Sequence, residues 1–239
     1  MCLIILILCV FITLSLSVSS TCIVIYHYGN AFYVGADSRS TMDDGTYKSI
    51  CKIHHSGTCY YAISGYDDQR LYVVAHNSLL KNGLVQDIIQ SFAVEMKKQY
   101  TGLMQYVKQH NPKKYSFYCD NKNALGTVVF FGFDQQGEPY TISVEFDMVN
   151  NFNQNPTIKE SIDEGFEFLA LGMTDHINKY PESELCKILK SDSLHIEKGI
   201  ERLIKSEIGK HKDKIGYPID LLKLTKSGPT WIRKKQQCD

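Results

Sequence analysis

Residues 18–37 read VSSTCIVIYHYGNAFYVGAD, and they hold a small-residue cleavage pattern, a threonine and a β-hairpin in that order. Two apolar, β-branched and aromatic runs, 22–28 and 31–35, flank Gly29-Asn30, a pair suited to a two-residue primed turn. That register sets Thr21 beside Asp37 and Ser38. A threonine hydroxyl is a poor nucleophile without a base. At a freed N-terminus Thr21 carries its own, because an α-amine titrates at about 7.7–8.0 and takes the hydroxyl proton through one water. The plainer alternative is a threonine that merely starts an edge strand. A threonine and an aspartate alone would not displace it; the segment before them and the next lysine do.

Working outward on the N-terminal side, the first 20 residues contain no Asp, Glu, Lys or Arg, and residues 3–16 are apolar apart from Thr13 and Ser15. The run is short for a membrane span and matches the core of a secretory leader, with Val18 and Ser20 where signal peptidase reads. Residues 1–20 are thus expected to be a signal peptide and 21–239 one domain, with no stable membrane span after cleavage. Because the leader lacks an N-terminal Lys or Arg, an uncleaved anchor stays open. So does a cut shifted by one residue, exposing Ser20 or Cys22. The expected location is the secretory pathway or outside the cell, or cytoplasm and nucleus if the leader is a propeptide.

The 219 residues left of 239 suffice for one large core. Lys and Arg total 26 against 26 Asp and Glu, a balance that favours neither nucleic acid nor an acidic membrane. Residues 233–235, Arg-Lys-Lys, read as a solvated tail. Of 8 cysteines, Cys2 and Cys9 leave with the leader. Cys22, Cys51, Cys59, Cys119, Cys186 and Cys238 remain, enough for up to three disulfides in an oxidising compartment, or for several buried free thiols. None has zinc spacing, and His54-His55 points its rings to opposite faces of a strand, so neither a metal nor another cofactor is expected.

Beyond the hairpin, residues 38–47 read as a polar loop. A second hairpin is expected from 48–54 and 58–64, with Lys52 on its first strand and a sharp turn at Ser64-Gly65. Helical spacing of Leu71, Val74, Ala75 and Leu79, then Val85, Ile88, Ile89, Phe92 and Met96, predicts two helices between 67 and 110, parted at Asn82-Gly83. The nearly continuous apolar run 126–134 predicts a strand covered on both faces. A further hairpin partner at 140–146, a strand at 166–171, helices at 182–191 and 195–210, and a strand at 221–225 complete the order. Two packed antiparallel sheets with helices on each outer side, a four-layer αββα sandwich of α+β class, accommodate it.

These residues resemble the proteasome β-type family of N-terminal nucleophile hydrolases. The likeness rests on TCIVIYHYGNAFYVGADSRST, then Cys51-Lys52-Ile53, Ile63-Ser64-Gly65, GTVVFFGFD, FLALG and Asp213-Lys214-Ile215-Gly216, in the family's order across the mature chain. The resemblance implies Thr21 as nucleophile, Asp37 orienting Lys52, the Gly65 N–H as oxyanion donor, Asp213 as a supporting aspartate, and Ile50 and Ile63 lining an apolar specificity pocket. It implies a peptide or amide substrate and a homo- or hetero-oligomer of proteasome-like subunits. The chain departs from the family at Leu171 and Gly216, where serines are usual, in a shorter loop between Asp37 and Lys52, and at Ser20, where self-cleaving members have glycine.

Three functions compete. The first is a threonine-type peptidase or amidase. The second is a non-catalytic proteasome-like binding or assembly subunit with a relic site, motivated by the missing serines. The third is an amidase whose nucleophile is Cys22.

Overall fold

The computed structural model describes residues 18–19, 21–41, 46–66, 68–81, 83–120, 124–149, 155–190 and 195–235. The leader assigned to residues 1–20 therefore lies, except for Val18 and Ser19, outside the described residues. In chain order the elements are β1 (Val18–Ser19), β2 (Cys22–Tyr28), β3 (Ala31–Asp37), β4 (Arg39–Thr41), β5 (Tyr47–Ser49), β6 (Ile53–Ser56), β7 (Cys59–Tyr66), α1 (Asp68–Leu79), α2 (Val85–His110) and α3 (Pro112–Asp120). They continue with β8 (Gly126–Phe133), β9 (Pro139–Val149), β10 (Thr157–Glu164), β11 (Phe168–Gly172), α4 (Glu182–Lys190), α5 (Ile196–Lys210), β12 (Ile219–Thr225) and β13 (Gly228–Arg233). The chain is a mixed α+β protein with three antiparallel sheets and five α-helices among the described residues.

One sheet runs β1-β7-β8-β9-β10 with β6 also on β7, the second runs β11-β2-β3-β12-β13, and β4-β5 form a small ribbon. Alternation along the central strands sorts the core. Ile23 and Ile25 of β2, Phe32 and Val34 of β3, and Val129 and Phe131 of β8 share one buried cluster. The opposite parity of β2, Cys22, Val24 and Tyr26, packs instead with Ile200, Leu203 and Ile204 of α5. Val128 and Phe130 of β8 pack with Phe92, Met96 and Tyr100 of α2. The last three recur every four residues, a spacing that keeps them on one apolar face of a helix. Strands buried on both faces have no polar parity, which is why residues 22–26 and 126–131 read as apolar runs.

The first hairpin forms as the sequence indicates, with Ile23 opposite Ala36 and a turn at Gly29 (φ 61°). Three expectations need correction. Lys52 does not sit on a strand: β6 starts at Ile53, and the residues before it pair separately, Tyr47–Ser49 with β4. Strands β10 and β13 and helix α3 lie in stretches for which the sequence indicates no element; β10 (TIKESIDE) and β13 (GPTWIR) are edge strands whose exposed faces carry charge and proline, so alternation is weak. Finally, 233–235 is solvated only in part: Arg233 and Lys234 are exposed, Arg233 ending β13 and pairing with Glu201, whereas the Lys235 side chain is 9% exposed.

No helix among the described residues is long and apolar enough to cross a membrane.

Candidate active site

The hairpin register sets Cys22 beside Asp37, and the Cys22 N–H donates to Asp37 Oδ1 at 2.8 Å. Lys52 Nζ donates to the same oxygen at 2.7 Å and to the Arg39 carbonyl at 2.7 Å. An ammonium and the amide next to Thr21 thus converge on one carboxylate oxygen. The other oxygen, Oδ2, accepts the N–H groups of Arg39 and Gly216, both at 3.1 Å. Asp37 is 0% exposed and Lys52 2%. Two charges so deeply buried persist only where nearly every lone pair and proton is used, and the donors around Asp37 supply that. Thr21 is also buried.

The far side of Thr21 is closed by β11 and the turn after it. The Met173 N–H donates to the Thr21 carbonyl at 2.5 Å. A Cβ on Gly172 would lie 1.9 Å from that oxygen, so only glycine lets the strand end approach so closely. The turn is held from behind by Glu207 of α5, fully buried, whose Oε1 accepts the N–H groups of His176 and Ile177 at 2.7 and 2.6 Å. Gly65 stands at the end of β7 with φ 138°, and a Cβ there would lie 2.3 Å from Gly126 Cα. Val18 and Ser19 pair with Tyr66 and Gly65 along the edge of β7, so the residues just before Thr21 lie along the strand that carries the candidate oxyanion donor. A cavity of about 310 Å³ opens between Gly65 and Gly172, with Ser64, Thr127, Glu145 and Leu171 also in its wall. Burial first, then the neighbouring Asp147, raises the Glu145 carboxyl above its ordinary range.

The predicted residues are not all brought together. Thr21, Asp37 and Lys52 share the centre described above, and Gly65 and Gly172 line one cavity. Asp213 is exposed in the turn before Gly216, and the group this segment delivers to Asp37 is the Gly216 N–H. That segment is tied down by Arg39, which donates to the Lys212 carbonyl and whose guanidinium fills the space a Cβ on Gly216 would need, 2.7 Å from Nε. Ile63 is buried in the core cluster shared with α1 and α2. Ile50 is half-buried, its N–H donating to the Ser38 carbonyl at 2.8 Å, and neither isoleucine lines the cavity at Gly65. Leu171, where the resemblance implies a serine, packs between the sheets with Ile23 and Ala62.

Cys22 is fully buried, and burial first, then the Asp37 charge, raises its thiol well above the usual range. A thiol held neutral in an apolar cluster is a structural residue. The groups of three or more His, Cys, Asp and Glu that would hold a metal ion are absent among the described residues. Sequence reasoning missed Gly216, Glu207 and Lys235. A backbone donor leaves no trace in residue type, and a lone Glu on a helix or a Lys near a terminus looks like solvated surface.

His54, two residues beyond Lys52, stacks near Tyr61 and Tyr72 with ring centroids at 5.4 and 4.6 Å. Burial, assisted by the charges of Lys235, His55 and His76 against a backbone hydrogen bond at Cys51, pushes its pKa down to about 4. Between the unfolded value of about 6.5 and that value the unfolded chain binds a proton that the folded chain refuses, so stability falls as pH drops through this window. The His54→Gln variant is expected to lose part of this acid limb, worth up to about 3 kcal/mol. Melting temperatures from pH 7 down to 4 measure it; parallel curves for the two proteins would refute the assignment.

No family model matches the chain, and no curated protein matches it in sequence. Its fold is similar to that of the Anbu (Gly-1) mutant from Hyphomicrobium sp. strain MC1, with a TM-score of 0.55 at 10% identity over 90% of this chain and 86% of that one.

Proposed function

We propose that the chain is a proteasome-like threonine-type peptidase or amidase whose nucleophile, Thr21, becomes N-terminal when the leader is removed. The observation that carries this reading is the convergence of Lys52 Nζ and the Cys22 N–H on Asp37 Oδ1 in a fully buried pair. A buried ion pair of this kind contributes little net stability, so its place against the N–H of the residue that follows a hydroxyl-bearing one argues for a chemical role. The likeness in fold to Anbu, a proteasome-like protein, supports the architecture. Three core clusters, helix against sheet, sheet against sheet and sheet against helix, are what a four-layer αββα sandwich requires.

On this reading, leader cleavage removes Val18 and Ser19 from the β7 edge and frees that edge for an extended substrate. The Thr21 α-amine, beside the Lys52 charge, takes the hydroxyl proton through a water. Thr21 Oγ attacks a carbonyl whose developing charge points at the Gly65 N–H, and water then hydrolyses the acyl-enzyme. Secretion of the chain belongs to the same proposal and rests on the apolar, charge-free run at residues 3–16 and the small residues at 17–20. Assembly into a homo- or hetero-oligomer of proteasome-like subunits belongs to the same proposal, in line with the fold likeness.

The test is N-terminal sequencing of the purified protein combined with a β-lactone or epoxyketone probe. The expected result is a mature chain starting at Thr21 and labelled there, with labelling lost in Thr21→Ala and retained within about tenfold in Thr21→Ser. A chain that starts elsewhere, or labelling unaffected by Thr21→Ala, would sink the proposal. The second reading, a non-catalytic binding or assembly subunit, is favoured by one observation, the packing of Leu171 into the intersheet core where the family has a serine hydroxyl; it requires that wild type and Thr21→Ala be equally inert.

A further inference from the structure

The face of β8 that meets the second sheet carries Val129 and Phe131 into the intersheet core. At the Thr21 end the same parity turns polar. Ser64 of β7 stands opposite Thr127 of β8, Thr127 opposite Glu145 of β9, and Glu145 opposite Ser161 of β10. Residues paired across antiparallel strands share a face of the sheet, so these four make one polar row across four strands. The first three line the cavity between Gly65 and Gly172. Ile63, next to Ser64, belongs to the core shared with α1 and α2, so the cavity lies on the opposite face of β7 from the apolar pocket that the resemblance implied at Ile63.

Packing alone does not call for such a row. Ser64 and Thr127 are 8% and 7% exposed, and Ser64 Oγ makes no hydrogen bond among the described residues. A buried hydroxyl left unpaired costs free energy, which a ligand donor placed against it recovers. This hydroxyl stands beside the clamp on the nucleophile: a Cβ on Gly172 would lie 2.9 Å from Ser64 Oγ and 1.9 Å from the Thr21 carbonyl oxygen. At the other end of the row, burial first, then Asp147 and Asp163, disfavours the charge on Glu145. Asp147 and Asp163 share its face of the sheet, Asp147 opposite the exposed Lys159 and Asp163 opposite Ser143, and no cation pairs with Glu145 among the described residues. The site is short of positive charge. An ammonium has three N–H donors, and the wall offers three acceptors in line, the Glu145 carboxylate and the hydroxyls of Thr127 and Ser64. At about 310 Å³ the cavity has room for a side chain and not only for a water, whose share of the liquid is about 30 Å³.

We infer that this cavity is a substrate subsite for a cationic side chain: the ammonium of a lysine next to the scissile bond enters between Gly65 and Gly172 and is held by Glu145, with Thr127 and Ser64 as further acceptors. That the scissile carbonyl sits at the Gly65 N–H rests on the reading of Thr21 as nucleophile; the row of acceptors does not. Glu145 is then a specificity-determining residue, and the substrate is a peptide or amide with positive charge beside the bond it loses. Selection works by penalty as well as by attraction. An acidic side chain in the cavity meets the like charges of Glu145, Asp147 and Asp163, and an apolar one covers the Ser64 hydroxyl and the Glu145 carboxylate without pairing them.

The experiment uses the mature chain purified from the secretory pathway and internally quenched peptides, identical but for lysine, norleucine or glutamate at the residue before or the residue after the cleaved bond. Lysine at one of these positions is expected to raise kcat/KM at least about tenfold over norleucine and about a hundredfold over glutamate. In Glu145→Gln the ratio of lysine to norleucine is expected to fall to within about twofold of one. A measurement that needs no variant is acetylation of the peptide's lysine Nζ, which is expected to remove the same advantage. Wild type without a lysine preference at either position, or a preference that survives Glu145→Gln or acetylation, overturns the subsite. Equal losses for the lysine and norleucine peptides in Glu145→Gln also overturn it, since Glu145 would then act on Thr21 and not on the substrate. Binding separates the subsite from the nucleophile. In the mature Thr21→Ala chain, fluorescence anisotropy is expected to give the lysine peptide a Kd at least about tenfold below that of the norleucine peptide, a difference lost when Glu145→Gln is added. If that difference is found while wild type cleaves no peptide and takes no label at Thr21, the nucleophile reading fails and the cation subsite stands. If wild type is labelled at Thr21 and the two peptides bind Thr21→Ala equally, the subsite fails and the nucleophile reading stands.

Discussion

Lys52→Met is expected to abolish acylation of Thr21, by at least about a thousandfold, and to lower the melting temperature by roughly 10 °C. Methionine keeps much of the stem and removes the charge. Asp37 would then sit fully buried with three neutral donors, the N–H groups of Cys22, Arg39 and Gly216, and no cation. Breaking a buried pair by deleting one partner costs about 3–5 kcal/mol, and for a domain of this size each kcal/mol moves the midpoint by about 2–4 °C. The chemical loss is a separate effect, since the ammonium that favours a deprotonated amine at Thr21 is gone. Adding Asp37→Asn separates the two. Lys52→Met/Asp37→Asn removes both charges and is expected to recover most of the stability and none of the acylation. Thermal melting and probe labelling at saturating probe measure both quantities. Labelling by Lys52→Met within tenfold of wild type would show that Lys52 is structural only.

Gly172→Ala is expected to cost acylation about a hundredfold and to destabilise the fold by about 2–5 kcal/mol. The added Cβ would stand 1.9 Å from the Thr21 carbonyl oxygen and 2.9 Å from Ser64 Oγ. Neither is the far end of a flexible side chain. The backbone there, at φ 84°, disfavours any L-residue by about 1–2 kcal/mol, and overpacking adds about 1–3 kcal/mol. Relief must come from moving Thr21 away from β11, which breaks the bond from the Met173 N–H. A shift of about 1 Å in a reacting group is enough for a hundredfold loss in rate. The informative comparison is with Gly137→Ala, also at positive φ (80°) but beside the far carbons of Lys226 at the opposite end of the hairpins. That variant is expected to lose some stability and keep full labelling. Equal labelling of Gly172→Ala and wild type would show that Thr21 is not clamped as described.

Local chemistry makes parts of the centre legible in the chain itself. A primed turn at Gly29-Asn30 joining two apolar runs leaves one register open that buries Ile23, Ile25, Phe32 and Val34 together, and this register puts residue 22 next to 37. The pairing of Cys22 N–H with Asp37 is therefore a consequence of residues close in sequence. The same holds for α1 and α2, whose apolar spacing and Asn-Gly break set length and face before any tertiary contact is known. Lys52 is half legible: its type and neighbours mark it, but not that the strand begins one residue after it.

What the amino-acid order determined, then, was every feature carried by a side-chain period or a short-range turn: the first hairpin, the helices apart from α3, the doubly covered strands, and the placing of Thr21 and Asp37 at one end of them. The fold alone decided the features built from backbone groups and chain ends. Gly216 rather than Asp213 reaches Asp37, Glu207 holds the turn behind Thr21, and Lys235 is drawn from the C-terminus onto the Ile50 carbonyl. A main-chain N–H is the same in every residue but proline, and a charged side chain reads as solvated until the surfaces that desolvate it are assembled.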